Sequence, residues 1–135
     1  MNKLLIFFSC ILFVSVSNYL FAQEQTNSSF YTTITFNNSK DQLQIIPIVQ
    51  NKSGSDAVLK YDFKVVKNGH SGGSTSSQSG NVNIKANSDV QASSVTVDFS
   101  QDNKYDVDLM IKKDNKIIAE IHKTYSGKEI QNHEY

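Results

Sequence analysis

The sequence predicts an all-β fold behind a short export signal, and three observations lead to this prediction. Apolar and polar side chains alternate residue by residue through most of the chain, which directs one set into a core and the other into water. Clusters of Asn, Asp, Ser and Gly separate these runs, as turns between strands require. After the N-terminal segment, no window has the apolar stripe of an amphipathic helix.

Residues 1–22 have the order of a secretory signal peptide. After a lysine near the start, an apolar run of about 13 residues extends from Leu4 to Val16, and Ala22 is a small residue at the expected cleavage point. The run is shorter than the ~18–20 residues of a membrane-spanning helix. Cys10 lies in this run, and Phe7-Phe8-Ser9 is a poor lipoprotein signal, so we expect Cys10 to leave with the peptide. The mature chain then has no cysteine to form a disulfide or a reactive thiol.

The chain divides into four predicted segments: a signal peptide (1–22), a flexible lead-in (23–29), a folded domain (30–125) and a tail without a pattern (126–135). About 113 residues remain after cleavage, enough for one domain. Seven alternating runs within them predict a seven-stranded immunoglobulin-like β-sandwich. The runs are Phe30–Phe36, Leu43–Val49, Leu59–Val65, Thr75–Lys85, Val95–Phe99, Tyr105–Ile111, and a last one in which Ile117, Ala119 and Ile121 face inward.

Three local features refine this prediction. Asp114-Asn115 is expected to form a tight hairpin turn, because both residue types tolerate a positive φ. Pro47 cannot donate a ladder hydrogen bond, so we expect a bulge or an edge position there. The Gly/Ser-rich segment after Lys67 fits either a flexible loop or, as we favour, a glycine turn at Gly69–Gly73 followed by a strand from about Thr75 to Lys85.

Charge and composition argue against several classes of function. Lys and Arg together number 13, as do Asp and Glu, and every one of these basic residues is a lysine. A near-neutral domain without arginine is a poor candidate for binding nucleic acid or for clamping a phosphate group. We therefore expect no nucleic-acid partner, no membrane contact after signal cleavage and no cofactor.

The residues that carry catalytic or metal chemistry do not have the spacing of a site. His70, His122 and His133 form no metal-ligand motif. His70-Ser71 lacks the strand-to-helix turn of a nucleophile elbow, and the adjacent glycines lack the sequence of a phosphate loop. Asp106 and Asp108 share a strand face without a glycine-punctuated acidic loop, which favours a solvated face over a calcium site. We predict a protein that is not an enzyme and binds no metal.

The outward faces of the third and sixth predicted strands are charged at nearly every second position. The residues are Lys60, Asp62 and Lys64 on the third strand and Asp106, Asp108 and Lys112 on the sixth. In an immunoglobulin-type topology these strands are neighbours, so the two rows would lie side by side. Ion pairing that keeps the sheet soluble is one explanation, and a rigid charged surface that contacts a partner weakly is the other. The residues alone favour the first.

One stretch of the chain resembles a known family. Tyr61–Lys67 leads into a Gly/Ser turn, then Ser-x-x-Ser-Gln-Ser-Gly at 74–80, Ser93-Ser94-Val95-x-Val97, and Tyr105–Leu109. These residues are similar to those of the CsgH family, the curli assembly chaperones of bacterial functional amyloid systems, over roughly residues 33–124. The resemblance implies a periplasmic immunoglobulin-like sandwich that keeps the major curli subunit out of the amyloid state until export. Related CsgC proteins carry a Cys-x-Cys pair that this chain lacks, so a redox role does not carry over.

The resemblance turns the charged strands into a candidate client-binding surface. We expect a monomer, periplasmic or released to the exterior, whose client is a curli-type amyloid subunit. Two alternatives have the same strand pattern: an exported immunoglobulin-like adhesion or surface-interaction module, and a minor structural component of a fibre. The predicted client-binding residues are Lys60, Asp62, Lys64, Asp106, Asp108 and Lys112, with Gln78 at the border.

Overall fold

A computed structural model describes residues 29–70 and 72–132, and the predicted signal peptide lies outside these residues. The described chain forms strands and one short helix, and it contains no helix long and apolar enough to cross a membrane. The elements are β1 Phe30–Ser39, β2 Gln42–Asn51, β3 Ala57–Asn68, β4 Ser74–Ile84, β5 Ser88–Gln91, β6 Val95–Asp98, β7 Lys104–Lys113, β8 Lys116–Ser126 and α1 Gly127–Asn132.

The strands form two antiparallel sheets, which confirms the all-β prediction. In the first sheet, β2 pairs with β1 on one side and with β5 and β6 on the other. The second sheet has the order β4-β3-β7-β8. The strands β3 and β7, third and sixth in the sequence-based numbering, are therefore direct neighbours.

The core lies between the two sheets and is built by the alternation read from the sequence. Leu43, Ile45 and Val49 of β2 are fully buried, and so are Val65 of β3 and Val107 of β7. Each such side chain contributes about 1.5–3 kcal/mol when removed from water. The central strands of both sheets thus supply most of the apolar packing.

The described residues contain one strand more than the seven predicted, because a short strand precedes the break at Ala92–Ser94. Ala86–Asp89 has the Asn, Ser and Asp composition of a turn between strands, but pairing with β2 already begins at Ser88, opposite Asn51. β5 and β6 follow one path beside β2, each four residues long. A four-residue strand with one partly buried apolar side chain, Val90, is too short for its alternation to be recognised.

Pro47 does not lie at a sheet edge, and the irregularity predicted there lies in the strands opposite it, where residues 46–47 of β2 face residues 92–94. Pro47 is buried in central strand β2 and pairs with Ile34 of β1. Its carbonyl accepts a hydrogen bond from the Ala92 N–H at 3.0 Å. The N and O atoms of one residue in an antiparallel ladder face the same neighbour, so the missing N–H of Pro47 faces the break between β5 and β6.

Two turn predictions are confirmed, and one strand differs. Asp114 and Asn115 have φ of 50° and 62°, as a tight β7–β8 hairpin requires. The strand β4 follows the glycine turn, as favoured above. The pairing of β7 with β8 shifts by one residue between Ile111 and Lys112, so the residues at the start of β8 face the side of the sheet opposite to the predicted one. Ile117 is consequently 48% exposed, while Ile118 packs against the core.

Residues 126–132, predicted as part of a tail without a pattern, form the end of β8 and the helix α1. Ser126 and Glu129 form a reciprocal cap at the start of α1: the Glu129 N–H donates to Ser126 Oγ at 3.2 Å, and the Ser126 N–H donates to Glu129 Oε2 at 2.9 Å. Ile130 is 2% exposed and belongs to the core. A Cβ on Gly127 would lie 2.1 Å from the Ser100 carbonyl oxygen, so only glycine fits there.

Tyr105 fixes the connection between β6 and β7. Its ring is fully buried, and its hydroxyl donates to the Asp98 carbonyl at 3.0 Å while it accepts from the Ser100 N–H at 3.1 Å. The ring also stacks on Phe99 with centroids 6.5 Å apart. One side chain thus joins the start of β7 to the end of the preceding strand.

Replacing Tyr105 with phenylalanine should lower the free energy of unfolding by about 1–3 kcal/mol, because the backbone groups of Asp98 and Ser100 lose their partner. Urea denaturation measures this change. Tyr31→Phe is the matched control, since Tyr31 is 52% exposed. An equal effect of both substitutions would contradict the role assigned to the Tyr105 hydroxyl.

Candidate functional site

The outer face of the β4-β3-β7-β8 sheet carries the charged residues singled out in the sequence. We call this surface, which points away from the core, the charged face. The pairing of β3 with β7 places Lys64 beside Asp108 and Lys60 beside Lys112. The alternate residues of the same strands, such as Phe63 and Leu109, are buried on the other side of the sheet.

The flanking strands add residues that the sequence prediction did not include. β4 places Ser77 beside Lys64 and Ser79 beside Asp62, and β8 places His122 beside Asp108. Each lies on the outward side of its own strand in the sequence pattern. The sequence does not state which strand lies next to which, so this grouping emerges only from the sheet order.

Every aspartate of the charged face has a polar partner. Asp62 accepts a hydrogen bond from Ser79 Oγ at 2.7 Å, and its other oxygen is 3.9 Å from Lys112 Nζ. Asp108 bonds to Nδ1 of His122. Asp106 accepts hydrogen bonds from Thr124 Oγ1 at 2.6 Å and from Asn68 Nδ2 at 3.1 Å.

Two of the three lysines predicted for the charged face have no carboxylate partner within the described residues. Lys60 and Lys64 are exposed, and within the described residues neither has a carboxylate within 4.0 Å. Lys64 lies directly beside Asp108 in the ladder, but the Asp108 carboxylate bonds to His122 instead. The cross-strand ion pairing expected between the two rows is thus limited to Asp62 and Lys112.

The middle of the charged face is a shallow depression of about 390 Å³. Its floor includes Met110, which is partly buried and interrupts the charged row of β7. Asp62 and Lys64 border it on one side, and Glu120 and His122 on the other. Polar groups of both signs around a short apolar floor suit transient contact with an extended chain better than enclosure of a small molecule.

The candidate metal ligands do not converge. No group of three or more His, Cys, Asp or Glu side chains within residues 29–70 and 72–132 is arranged to hold a metal ion. Asp106 and Asp108, considered above for calcium, bond to side chains of β8. One oxygen of each of these carboxylates is therefore already bonded to the neighbouring strand.

The sequence and the fold both point to a known family. The profile of the family described as thin aggregative fimbriae synthesis protein, Tafi-CsgC, matches residues 12–119. The chain belongs to the Tafi-CsgC family. No protein sequence of curated function matches it.

Two solved structures have the same fold as this Tafi-CsgC protein. The E. coli curli protein CsgC is 16% identical, with a TM-score of 0.57 over 72% of this chain and 98% of its own. R. palustris CsgH is 19% identical, with a TM-score of 0.60 over 76% of this chain and 96% of its own. The resemblance to the curli-related CsgH family, inferred from the 61–109 motifs, is confirmed.

Gln78 does not lie on the charged face of this Tafi-CsgC protein. It pairs with buried Phe63, so its side chain leaves the inner side of β4. There its Nε2 donates to the Ser94 carbonyl at 3.0 Å, and its Oε1 accepts from the Ser93 hydroxyl. These bonds link β4 to the break between β5 and β6 in the opposite sheet. The structure therefore gives Gln78 a connecting position between the sheets.

The environment of His122 on the charged face shifts the pKa of its imidazole. The hydrogen bond to the Asp108 carboxylate raises the pKa of His122 above its ordinary value of 6.5, and the charges of Asp108, Asp106 and Glu120 act in the same direction. Because the folded-state pKa is the higher one, the stabilisation from protonated His122 is fully present below pH 6.5. It is lost as the pH rises through the folded-state pKa.

Replacing Asp108 with asparagine should lower the pKa of His122 toward 6.5, because the charged acceptor is removed. An NMR titration of the His122 ring measures the change. Asp106→Asn is the control and should lower the pKa less, since Asp106 acts only through its charge. A larger effect of Asp106→Asn would overturn the assigned cause.

Proposed function

We propose that this protein is a periplasmic chaperone in curli assembly: it binds a curli-type amyloid subunit and prevents premature fibre formation. Membership of the Tafi-CsgC family supports the link to curli assembly. The signal-like residues 1–22 support export to the periplasm. The observation that carries the proposal is the charged face, where Lys60 and Lys64 stand exposed and unpaired within the described chain.

The chaperone is further proposed to be a monomeric immunoglobulin-like sandwich. Counting β5 and β6 as one interrupted strand gives the seven-strand arrangement of such domains. The Tyr105 hydroxyl bonds back to the chain just before β7, as the corner tyrosine of immunoglobulin-like domains does. Both features support this finer classification.

The energetics of the two free lysines suit a transient contact. A surface charge pair at 4 Å contributes only about 1 kcal/mol in water, and salt screens charges beyond about 8 Å at physiological ionic strength. Binding through a few such pairs is weak and rapidly reversible, so one chaperone molecule serves many subunits in turn. Because the aspartates are already bonded within the sheet, the free cations select acidic positions on the client.

The spacing of the lysines matches an extended client. Lys60 and Lys64 are four residues apart on one face of β3, which corresponds to about 13 Å along the strand. Carboxylates at the same interval on an extended segment reach both Nζ atoms at once. A rigid strand therefore presents the two charges at a fixed distance, which a flexible loop does not do.

Reversing both charges, Lys60→Glu with Lys64→Glu, should weaken suppression of curli-subunit fibrillation severalfold and leave the melting temperature nearly unchanged. The stability should hold because neither lysine has a carboxylate partner in the described chain. Thioflavin fluorescence with a large molar excess of subunit measures suppression, and circular dichroism measures melting.

The matched control is Lys40→Glu with Lys128→Glu, which changes the net charge equally at exposed positions in the β1–β2 turn and in α1. It should suppress as well as the unmodified protein. Equal loss in both double variants would assign the effect to net charge alone. No suppression by the unmodified protein would refute the chaperone function itself.

A further inference from the structure

The edge strand β4 lacks the features that normally prevent strand pairing between proteins. Ser74–Ile84 contains neither a charged residue nor a proline, and it pairs with β3 along its whole length without a bulge. Natural proteins protect long edges with lysine, proline or bulges, because unpaired N–H and C=O groups offer a template to another chain. β4 is 11 residues long and has none of these.

The remaining edges in the described chain are protected. β8, at the opposite edge of the same sheet, carries Lys116, Glu120 and Lys123 and contains the bulge near its start. β1 lies alongside β8, where the ring centroids of Phe36 and Tyr125 are 4.9 Å apart. β5 and β6 are four residues each. The open edge of β4 is therefore a specific feature of this sheet.

The side chains of β4 leave the lysines of β3 within reach of an added strand. On the charged face β4 presents Ser77, Ser79 and Asn81, which are beside Lys64, Asp62 and Lys60. A strand added to β4 would lie about 10 Å from β3, two strand spacings away. The short serine between them does not screen Lys64, whose side chain spans most of that distance.

We propose that the free edge of β4 accepts an extended segment of the client as a fifth strand of the sheet. The segment that fits is polar and uncharged except for a carboxylate near Lys60 or Lys64. Pairing of this kind supplies main-chain hydrogen bonds, and the lysines select the sequence. It also occupies one edge of the client strand, which then cannot join a fibre on that side. This inference rests on the proposed chaperone function and names its contact.

Charge favours such a client over a second copy of this chain. Two β4 strands paired edge to edge would bring no carboxylate toward Lys60 or Lys64, because Ser74–Ile84 has no acidic residue. A client segment with an aspartate or glutamate supplies the missing partner. The unpaired cations and the unprotected edge thus point to the same occupant.

The test uses a synthetic peptide of about ten residues, composed of Ser, Asn, Gln and Gly with one central Glu. Amide hydrogen exchange of the intact mature protein is measured with and without it. The β4 amides should exchange several times more slowly with the peptide, and those of β8 should not change, which makes β8 an internal control. Slowing in β8 alone, or in neither strand, would overturn the proposal.

Two matched comparisons separate strand pairing from simple attraction of charges. A peptide of the same sequence with alternate backbone nitrogens methylated keeps its charge and should lose binding; equal binding of both peptides would overturn the proposal. Ser77→Glu places a carboxylate beside Lys64 and should weaken binding of the Glu peptide about two- to fivefold relative to Ser77→Gln. Equal binding by the two variants would reject the part assigned to Lys64.

These experiments distinguish failure of the β4 edge contact from failure of the proposed chaperone function. If the protein suppresses subunit fibrillation but its β4 amides are not protected, the chaperone function is supported and the edge contact is refuted. If protection of β4 grows with protein concentration alone, the occupant is a second copy and the proposal is wrong. If the peptide protects β4 but fibrillation is not suppressed, edge pairing is supported and the chaperone function is refuted.

Discussion

The ladder between β3 and β7 is the constraint on which the rest of the molecule depends. Each residue of these strands is committed to one of two faces, so the residues that build the core determine which residues can form the charged face. Phe63 and Leu109 are buried, and Lys64 and Asp108 are consequently presented outward. A slip of one residue would exchange the two faces, and burial of lysine makes that slip costly.

Polar links across the interior hold the two sheets in one arrangement. Lys67 extends from the inner side of β3 to Asp98 in the other sheet, with its Nζ 3.3 Å from the carboxylate. Gln78 reaches Ser93 and Ser94 from β4. Asn51, which is 1% exposed, donates to the carbonyls of Ser55 and Lys85 and accepts from Ser53. The described residues contain no cysteine, so packing and these bonds maintain the alignment.

The same sheet combines a face and an edge that differ in their electrostatics. On the face, the aspartates are bonded to neighbouring strands, while Lys60 and Lys64 have no carboxylate partner in the described chain. At the β4 edge, small polar side chains leave the backbone accessible. The proposed function requires the protein to bind amyloid-forming chains without becoming a template for them, and the open edge of β4 beside free lysines is the feature proposed to meet both needs.

The sequence by itself determined the all-β class, the inward and outward residues of β2, β3 and β7, the Asp114-Asn115 hairpin and the resemblance to the CsgH family. Each depends on local alternation, local turn chemistry or local motifs. Sequence also contained the Ser126–Glu129 capping signal, but a helix of six residues has too little periodicity to be recognised. The tertiary structure determined the features that depend on which strands lie side by side. The strand opposite Pro47 is interrupted, and Ile117 faces outward. Gln78 bonds to the opposite sheet, and Asp108 bonds to His122 rather than to Lys64. These features depend on strand order and register, which are long-range properties.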